Sequence, residues 1–149
     1  MYLDSAIIVK LLVREPDSGW FNEQLDGVKF QTSELALTEV PAALLSKERA
    51  GHLTHLKRVA ARIRFDEMVE DEALVLLPLN RAVLQRAANI IQACHPRVPL
   101  RTLDAIHVAT CDLHNCAPLC ATDNRLRAAA QHLGLQLFPE RPEDVTTVN

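Results

Sequence analysis

The chain is 149 residues long, with 48% hydrophobic and 23% charged residues and a formal net charge of −3. That length suits one domain with its own core; four glycines and eight prolines exclude collagen-like and low-complexity chains, and no apolar run reaches the ~20 residues of a membrane span. The acidic balance speaks against a globally basic nucleic-acid binder, the start Met1-Tyr2-Leu3-Asp4 lacks the positive region of a secretory signal, and Cys94, Cys111, Cys116 and Cys120, with no C-x-x-C pair, read as small buried hydrophobes of a reducing, cytoplasmic compartment.

The hydrophobic pattern predicts strands alternating with helices. Met1–Asp4 is a short apolar strand ending in an acid, and Ser5 is placed to cap a helix through Val13, with Ile7, Ile8, Leu11 and Leu12 at helical spacing. Pro16 closes that segment. A short helix over 17–27 ends at Gly27, and Val28–Gln31 is a brief strand. Thr32 or Ser33 can cap a helix over 34–50 that Gly51 stops, and a long helix over 53–72 follows. Ala73–Leu79 is a strand that Pro78 ends or places near an edge. Asn80 caps a helix to Cys94, Pro96 and Pro99 punctuate a loop, and 101–115 is helical. Pro118–Ala121 is a strand, Asp123–Leu133 a helix, Leu135–Phe138 a last strand, and the chain from Pro139 a tail. This order implies an α/β fold: a three-layer α/β/α sandwich with a mostly parallel central sheet, one domain over 1–149. The helix pair at 34–72 has no strand between its members and reads as a projecting hairpin.

Ligands of open α/β sheets bind outside the carboxyl ends of the strands. Asp4 ends the first strand and Asp123 follows the strand at 118–121, with Thr122 between. Each also fits a helix cap. Two further acids interrupt apolar stretches: Glu39 in Leu35–Leu45 and Asp104 in Leu103–Ala109. A buried salt bridge or cap is the plain reading of each, Asp104 with Arg101 and Glu39 with an arginine the sequence does not identify. Taken together, four carboxylates converging at a sheet edge would repel one another. A divalent cation with oxygen ligands, Mg²⁺ or Mn²⁺, compensates most simply and could activate water for attack at phosphorus.

The residues around these acids resemble a known family. Tyr2-Leu3-Asp4-Ser5-Ala6-Ile7-Ile8-Val9-Lys10-Leu11 is similar to the opening of PIN-domain nucleases, above all the VapC-like toxin branch. Leu37-Thr38-Glu39-Val40, Leu103-Asp104-Ala105-Ile106-His107-Val108-Ala109 and Ala121-Thr122-Asp123-Asn124-Arg125-Leu126 resemble the second, third and fourth motifs, in order over nearly the whole chain. The resemblance implies a metal-dependent endoribonuclease whose metal site is Asp4, Glu39, Asp104 and Asp123, with Ser5 at a small hydroxyl position. It also implies a homodimer and inhibition by a small antitoxin. A non-toxin PIN nuclease of RNA maturation, or a non-catalytic interaction module, would carry the same pattern. Ala6 and Ala121 stand where the family often has hydroxyl residues, so hydroxyl help from this region rests on Ser5 and Thr122.

Other chemistry is less well served. His107, Cys111 and His114 share a helical face with Asp104, a set that could suggest zinc, but His107 reads better as a packed residue supporting the acids. There is no Gly-rich phosphate loop and no G-x-S-x-G. Basic residues concentrate at 47–64: Lys47, Arg49, Lys57, Arg58, Arg62 and Arg64. They fit a solvated face with pairs such as Arg62–Asp66, or a grip on the RNA backbone beside the acids. With one Trp, one Tyr and four Phe, recognition through RNA shape and phosphates is expected over base stacking.

Overall fold

Five short strands form the sheet in the computed structural model, which describes residues 1–147. They are β1 (Tyr2–Leu3), β2 (Phe30–Ser33), β3 (Leu74–Leu77), β4 (Leu119–Cys120) and β5 (Leu137–Phe138). Their order is β3-β2-β1-β4-β5, and every pairing is parallel. Parallel neighbours cannot be joined by tight hairpins, so helices make each crossover. Helices α1 (Ser5–Leu12) and α2 (Ser18–Gln24) link β1 to β2, and α3 (Ala36–Arg49) and α4 (His55–Glu70) link β2 to β3. Helices α5 (Arg81–Cys94) and α6 (Thr102–Leu113) lead to β4, and α7 (Asn124–His132) leads to β5.

The alternation of side chains along a strand divides the interior in two. Tyr2, Leu119 and Ala121 point to a core built with Val83, Ala87 and Ile90 of α5, Ala105 and Val108 of α6, and Leu126 and Ala129 of α7. Leu3, Leu74 and Cys120 point the other way, to Ile7 and Ile8 of α1, Phe21 of α2, Val40 and Leu44 of α3, and Ala61 and Phe65 of α4. The expected α/β/α sandwich is therefore present, and its sheet is wholly parallel. The α3–α4 hairpin is seated on the core by its inner face, while Leu45, Leu56 and Ile63 are exposed on its other faces. All four cysteines are free and buried.

Several boundaries differ from the sequence reading. Asp4, not Ser5, caps α1: its Oδ1 accepts from the Ile7 amide at 2.9 Å, and the helix ends at Leu12. The second strand lies two residues later than expected, because Gly27 turns with φ +70° and pairing with β3 begins at Phe30 opposite Leu74. Thr32 and Ser33 therefore belong to β2, with Thr32 Oγ1 donating to the Leu3 carbonyl at 2.8 Å, and α3 starts without a side-chain cap. β3 is an edge strand that ends before Pro78, as that proline requires. The segment after β5 is held rather than free: the Arg127 guanidinium, in a residue only 4% exposed, donates to the carbonyls of Ala121 and Glu140, both at 3.0 Å. The tail's last two residues, Val148 and Asn149, lie outside the described residues.

Candidate active site

The strand order runs 3-2-1 in one direction and 4-5 in the other, so the chain reverses between β1 and β4. A crevice forms at the carboxyl edge at such a switch point. Asp4 follows β1 and Asp123 follows β4, on its two sides. Asp4 is the N-cap of α1 and Asp123 the N-cap of α7, where its Oδ1 accepts from the amides of Arg125 at 2.8 Å and Leu126 at 3.1 Å. Glu39 lies in the first turn of α3, which leaves the carboxyl edge after β2. Asp104 lies in the first turn of α6, the helix that runs back to feed β4. Each of the four acids thus sits at the start of a different helix, where the positive end of the helix dipole eases the concentration of negative charge.

That relief is incomplete. Asp4 is 4% exposed. Burial pushes its carboxyl up to about 6; His107 and the Ile7 amide pull it down, and the charges of Glu39 and Asp104 push it up again. Burial also raises the Asp104 carboxyl, the charge of Asp123 adds to the rise, and Arg101, His107 and Arg125 offset part of it. Asp104 neither caps its helix nor forms an ion pair with Arg101. Its Oδ2 is buried and has no hydrogen-bond partner among the described residues. Buried carboxylate oxygens are seldom left that way, because desolvation costs several kcal/mol when nothing replaces water.

This donor set fits a hard divalent cation: oxygen only, mutually repelling, with one buried oxygen unused. No group of three or more His, Cys, Asp or Glu side chains among the described residues is already drawn together tightly enough to hold an ion. Mg²⁺ is usually held by one or two carboxylates, with waters and substrate phosphates completing its shell, so an open arrangement suits it.

Glu39 has a partner the sequence reading did not find. No arginine reaches it. Its Oε2 accepts from Ser5 Oγ at 2.6 Å and from His107 Nε2 at 2.7 Å. Burial acts to raise its carboxyl, but His107 and Ser5 outweigh that and hold it below the ordinary range. His107 is buried, and its Nδ1 lies 2.7 Å from the Tyr2 hydroxyl. The zinc set falls apart accordingly: His107 and Cys111 are buried, His114 is exposed.

A cavity of about 460 Å³ opens beside Glu39. Ser5, Glu39 and Thr122 line its inner end, Ala6, Val9 and Ala43 its apolar wall, and Lys10, Glu15 and Lys47 its far side. Glu15 bridges the two lysines: Lys10 Nζ is 2.8 Å from its Oε2 and Lys47 Nζ 2.5 Å from its Oε1. Of the basic run, only Lys47 lines this cavity. Arg58 is paired with Glu48 at 2.6 Å and Arg62 with Asp66 at 2.9 Å, as the solvated-face reading has it. Arg64 lines a neighbouring cavity together with Lys10 and Arg14. Arg49 and Lys57 are exposed and held by no ion pair among the described residues. The aromatic side chains are committed to packing: Tyr2, Phe21 and Phe65 are fully buried, and Trp20 stacks on Phe138 with ring centroids 5.6 Å apart.

Comparison with known proteins agrees with this geometry. The PIN domain profile matches residues 1–131. The chain belongs to the PIN domain family. It is 38% identical over 147 residues to Ribonuclease VapC46 of Mycobacterium tuberculosis, covering 93% of this chain and 95% of that protein. It is 31% identical over 142 residues to Ribonuclease VapC35 of the same species, covering 91% and 93%.

In this PIN domain the four motif acids start helices around the switch point: Asp4 feels the charges of Glu39 and Asp104, and Asp104 that of Asp123. Ser5 and His107 hydrogen-bond Glu39, and Thr122 lines the same cavity as Glu39. Sequence reasoning missed Tyr2 and Lys10 as neighbours of the site. Lys10 had a local signal, since it lies four residues after Ala6 and so on the same face of α1. Tyr2 had none, because its partner is 105 residues away.

Proposed function

We propose that this PIN domain is a divalent-metal-dependent endoribonuclease, the toxin of a type II toxin–antitoxin pair acting in the cytoplasm. The observation that carries the reading is the partnerless buried Oδ2 of Asp104, set among Asp4, Asp123 and His107 at the sheet's switch point. Coverage of 93% of the chain and 95% of a relative named as a VapC ribonuclease supports the toxin assignment over an RNA-maturation nuclease or a binding module.

In this reading Asp4, Asp104 and Asp123 hold the metal, and Glu39 joins them directly or through water. Bound Mg²⁺ or Mn²⁺ would supply a water of lowered pKa and charge stabilisation at the attacked phosphate. The protein's own groups do the rest. The Asp4 and Asp123 side chains are held by the amides they cap, one oxygen each, so the carboxylates are already oriented before an ion arrives. Ser5 and Thr122 border the cavity where the scissile phosphate would lie, and Lys47 offers a cation at its far side. The RNA strand would enter past Lys10 and Lys47, with Arg49, Lys57, Arg58, Arg62 and Arg64 as outer contacts. Cleavage would leave a 5′-phosphate and a 3′-hydroxyl. Exposed Leu45, Leu56 and Ile63 leave apolar surface on the hairpin for a homodimer partner or antitoxin.

The test is cleavage of end-labelled RNA by the purified protein in Mg²⁺ or Mn²⁺, with and without EDTA. Cleavage that EDTA abolishes and either metal restores is the expected result. Metal-independent cleavage, or none with either ion, would refute the assignment.

A further inference from the structure

Glu39 is braced from behind by groups that never reach the crevice. Tyr2 is fully buried in β1. Its hydroxyl oxygen accepts from the Ser33 amide at 3.1 Å and meets His107 Nδ1 at 2.7 Å, with the two rings edge to face at 72°. His107 Nε2 meets Glu39 Oε2 at 2.7 Å. The directions of the outer two bonds are fixed by elimination. A backbone amide only donates, so the Tyr2 oxygen accepts from Ser33. An ionised carboxylate only accepts, so Nε2 carries a hydrogen. Nδ1 faces the Tyr2 hydroxyl, which can donate to it or accept from it according to the protons the ring carries. The contacts run from the end of β2 through β1 and α6 to α3.

Oε2 of Glu39 is thereby saturated by His107 and Ser5, whereas Oε1 makes no hydrogen bond among the described residues. We propose that Tyr2 and His107 are positioning residues that lock the Glu39 carboxylate with only Oε1 presented to the metal. The inference rests on the reading of Glu39 as part of a metal site. Outer-shell hydrogen bonds of this kind fix the orientation of a ligand, and their loss usually costs about 10–100-fold in metal affinity.

The experiment measures Mn²⁺ alone binding to the purified full chain, by loss of the free-ion EPR signal, at a temperature where circular dichroism shows each variant folded. Tyr2→Phe removes one oxygen and no ring volume, and is expected to weaken Mn²⁺ binding about tenfold. His107→Ala should weaken it by about 10–100-fold. His107→Gln, whose terminal amide can donate near the Nε2 position, should recover most of the loss, a rescue that general packing damage would not show. In the wild-type protein without metal, ¹⁵N spectra should show a hydrogen on His107 Nε2. A His107 Nε2 that carries no hydrogen, or Tyr2→Phe and His107→Ala both binding Mn²⁺ within twofold of wild type, would overturn the proposal. Glu39→Gln separates its failure from that of the parent reading. If Glu39→Gln loses binding while Tyr2→Phe and His107→Ala keep it, only the brace is wrong; if Glu39→Gln also keeps it, Glu39 is not a metal ligand and both fall.

Discussion

At the scale of single residues, Asp4 shows stability set against function. Its carboxyl is raised from the ordinary aspartate value to about 6, chiefly by burial. A group whose folded pKa exceeds its unfolded one favours folding at low pH, and the benefit is lost as pH rises through the folded value. Between about pH 4 and 6 the ionised, buried Asp4 therefore withdraws stability on the order of 3 kcal/mol. Asp4→Asn cannot ionise, and its amide oxygen can still accept from the Ile7 amide. In metal-free buffer at pH 7.5 it should melt several degrees above wild type, with the gap shrinking as pH falls through 6 and closing near 4. The same variant should lose RNA cleavage and the Mg²⁺-induced rise in Tm that wild type should show. Thermal melts at three pH values and one cleavage assay check all of this. At subsaturating metal, wild-type cleavage should also fall as pH drops below about 6, where a proton competes with the ion for Asp4.

At the scale of elements, four helix starts carry the site, and capping and chemistry can be told apart at α7. Asp123 accepts from two amides through one oxygen, so Asp123→Asn keeps a cap and Asp123→Ala removes it. The alanine variant should lose about 1 kcal/mol of stability, the usual value of an N-cap, while the asparagine variant melts close to wild type. Both should be defective in cleavage, because both remove the charge. Equal melting of the two would show that the cap contributes nothing. Helix starts of this kind were legible in sequence, since an acid or Asn before an apolar period is a local signal: Asn80 caps α5 as its sequence predicts. The start of α3 was not legible. Thr32 and Ser33 look like caps, but parallel pairing with β3 draws them into the sheet.

At the scale of the whole molecule, the net charge of −3 fits an acidic crevice with cations placed around it rather than a basic surface. RNA affinity should fall with salt, and Lys47→Ala should weaken RNA binding and make the slope of log K against log salt shallower by about 0.7, the share of one phosphate contact in a single strand. Stability should change little, because Glu15 keeps Lys10 and exposed pairs contribute about 0–1 kcal/mol. Binding titrations between low and moderate salt check this.

The alternation of strands and helices, a stop or edge for β3 at Pro78 and the placement of Asp4 and Asp123 at strand-to-helix junctions were determined by sequence alone, because hydrophobic period, proline and capping act between near neighbours. Only the tertiary structure decided which groups meet. His107 reaches Glu39 across 68 residues and Tyr2 across 105. Among the described residues Asp104 Oδ2 is left without a hydrogen-bond partner, and Lys47 alone of the basic run lines the cavity beside Glu39. Those meetings depend on strand order and on which face each crossover helix covers. They are set when the sheet closes around Tyr2 and Leu3, and no spacing along the chain encodes them.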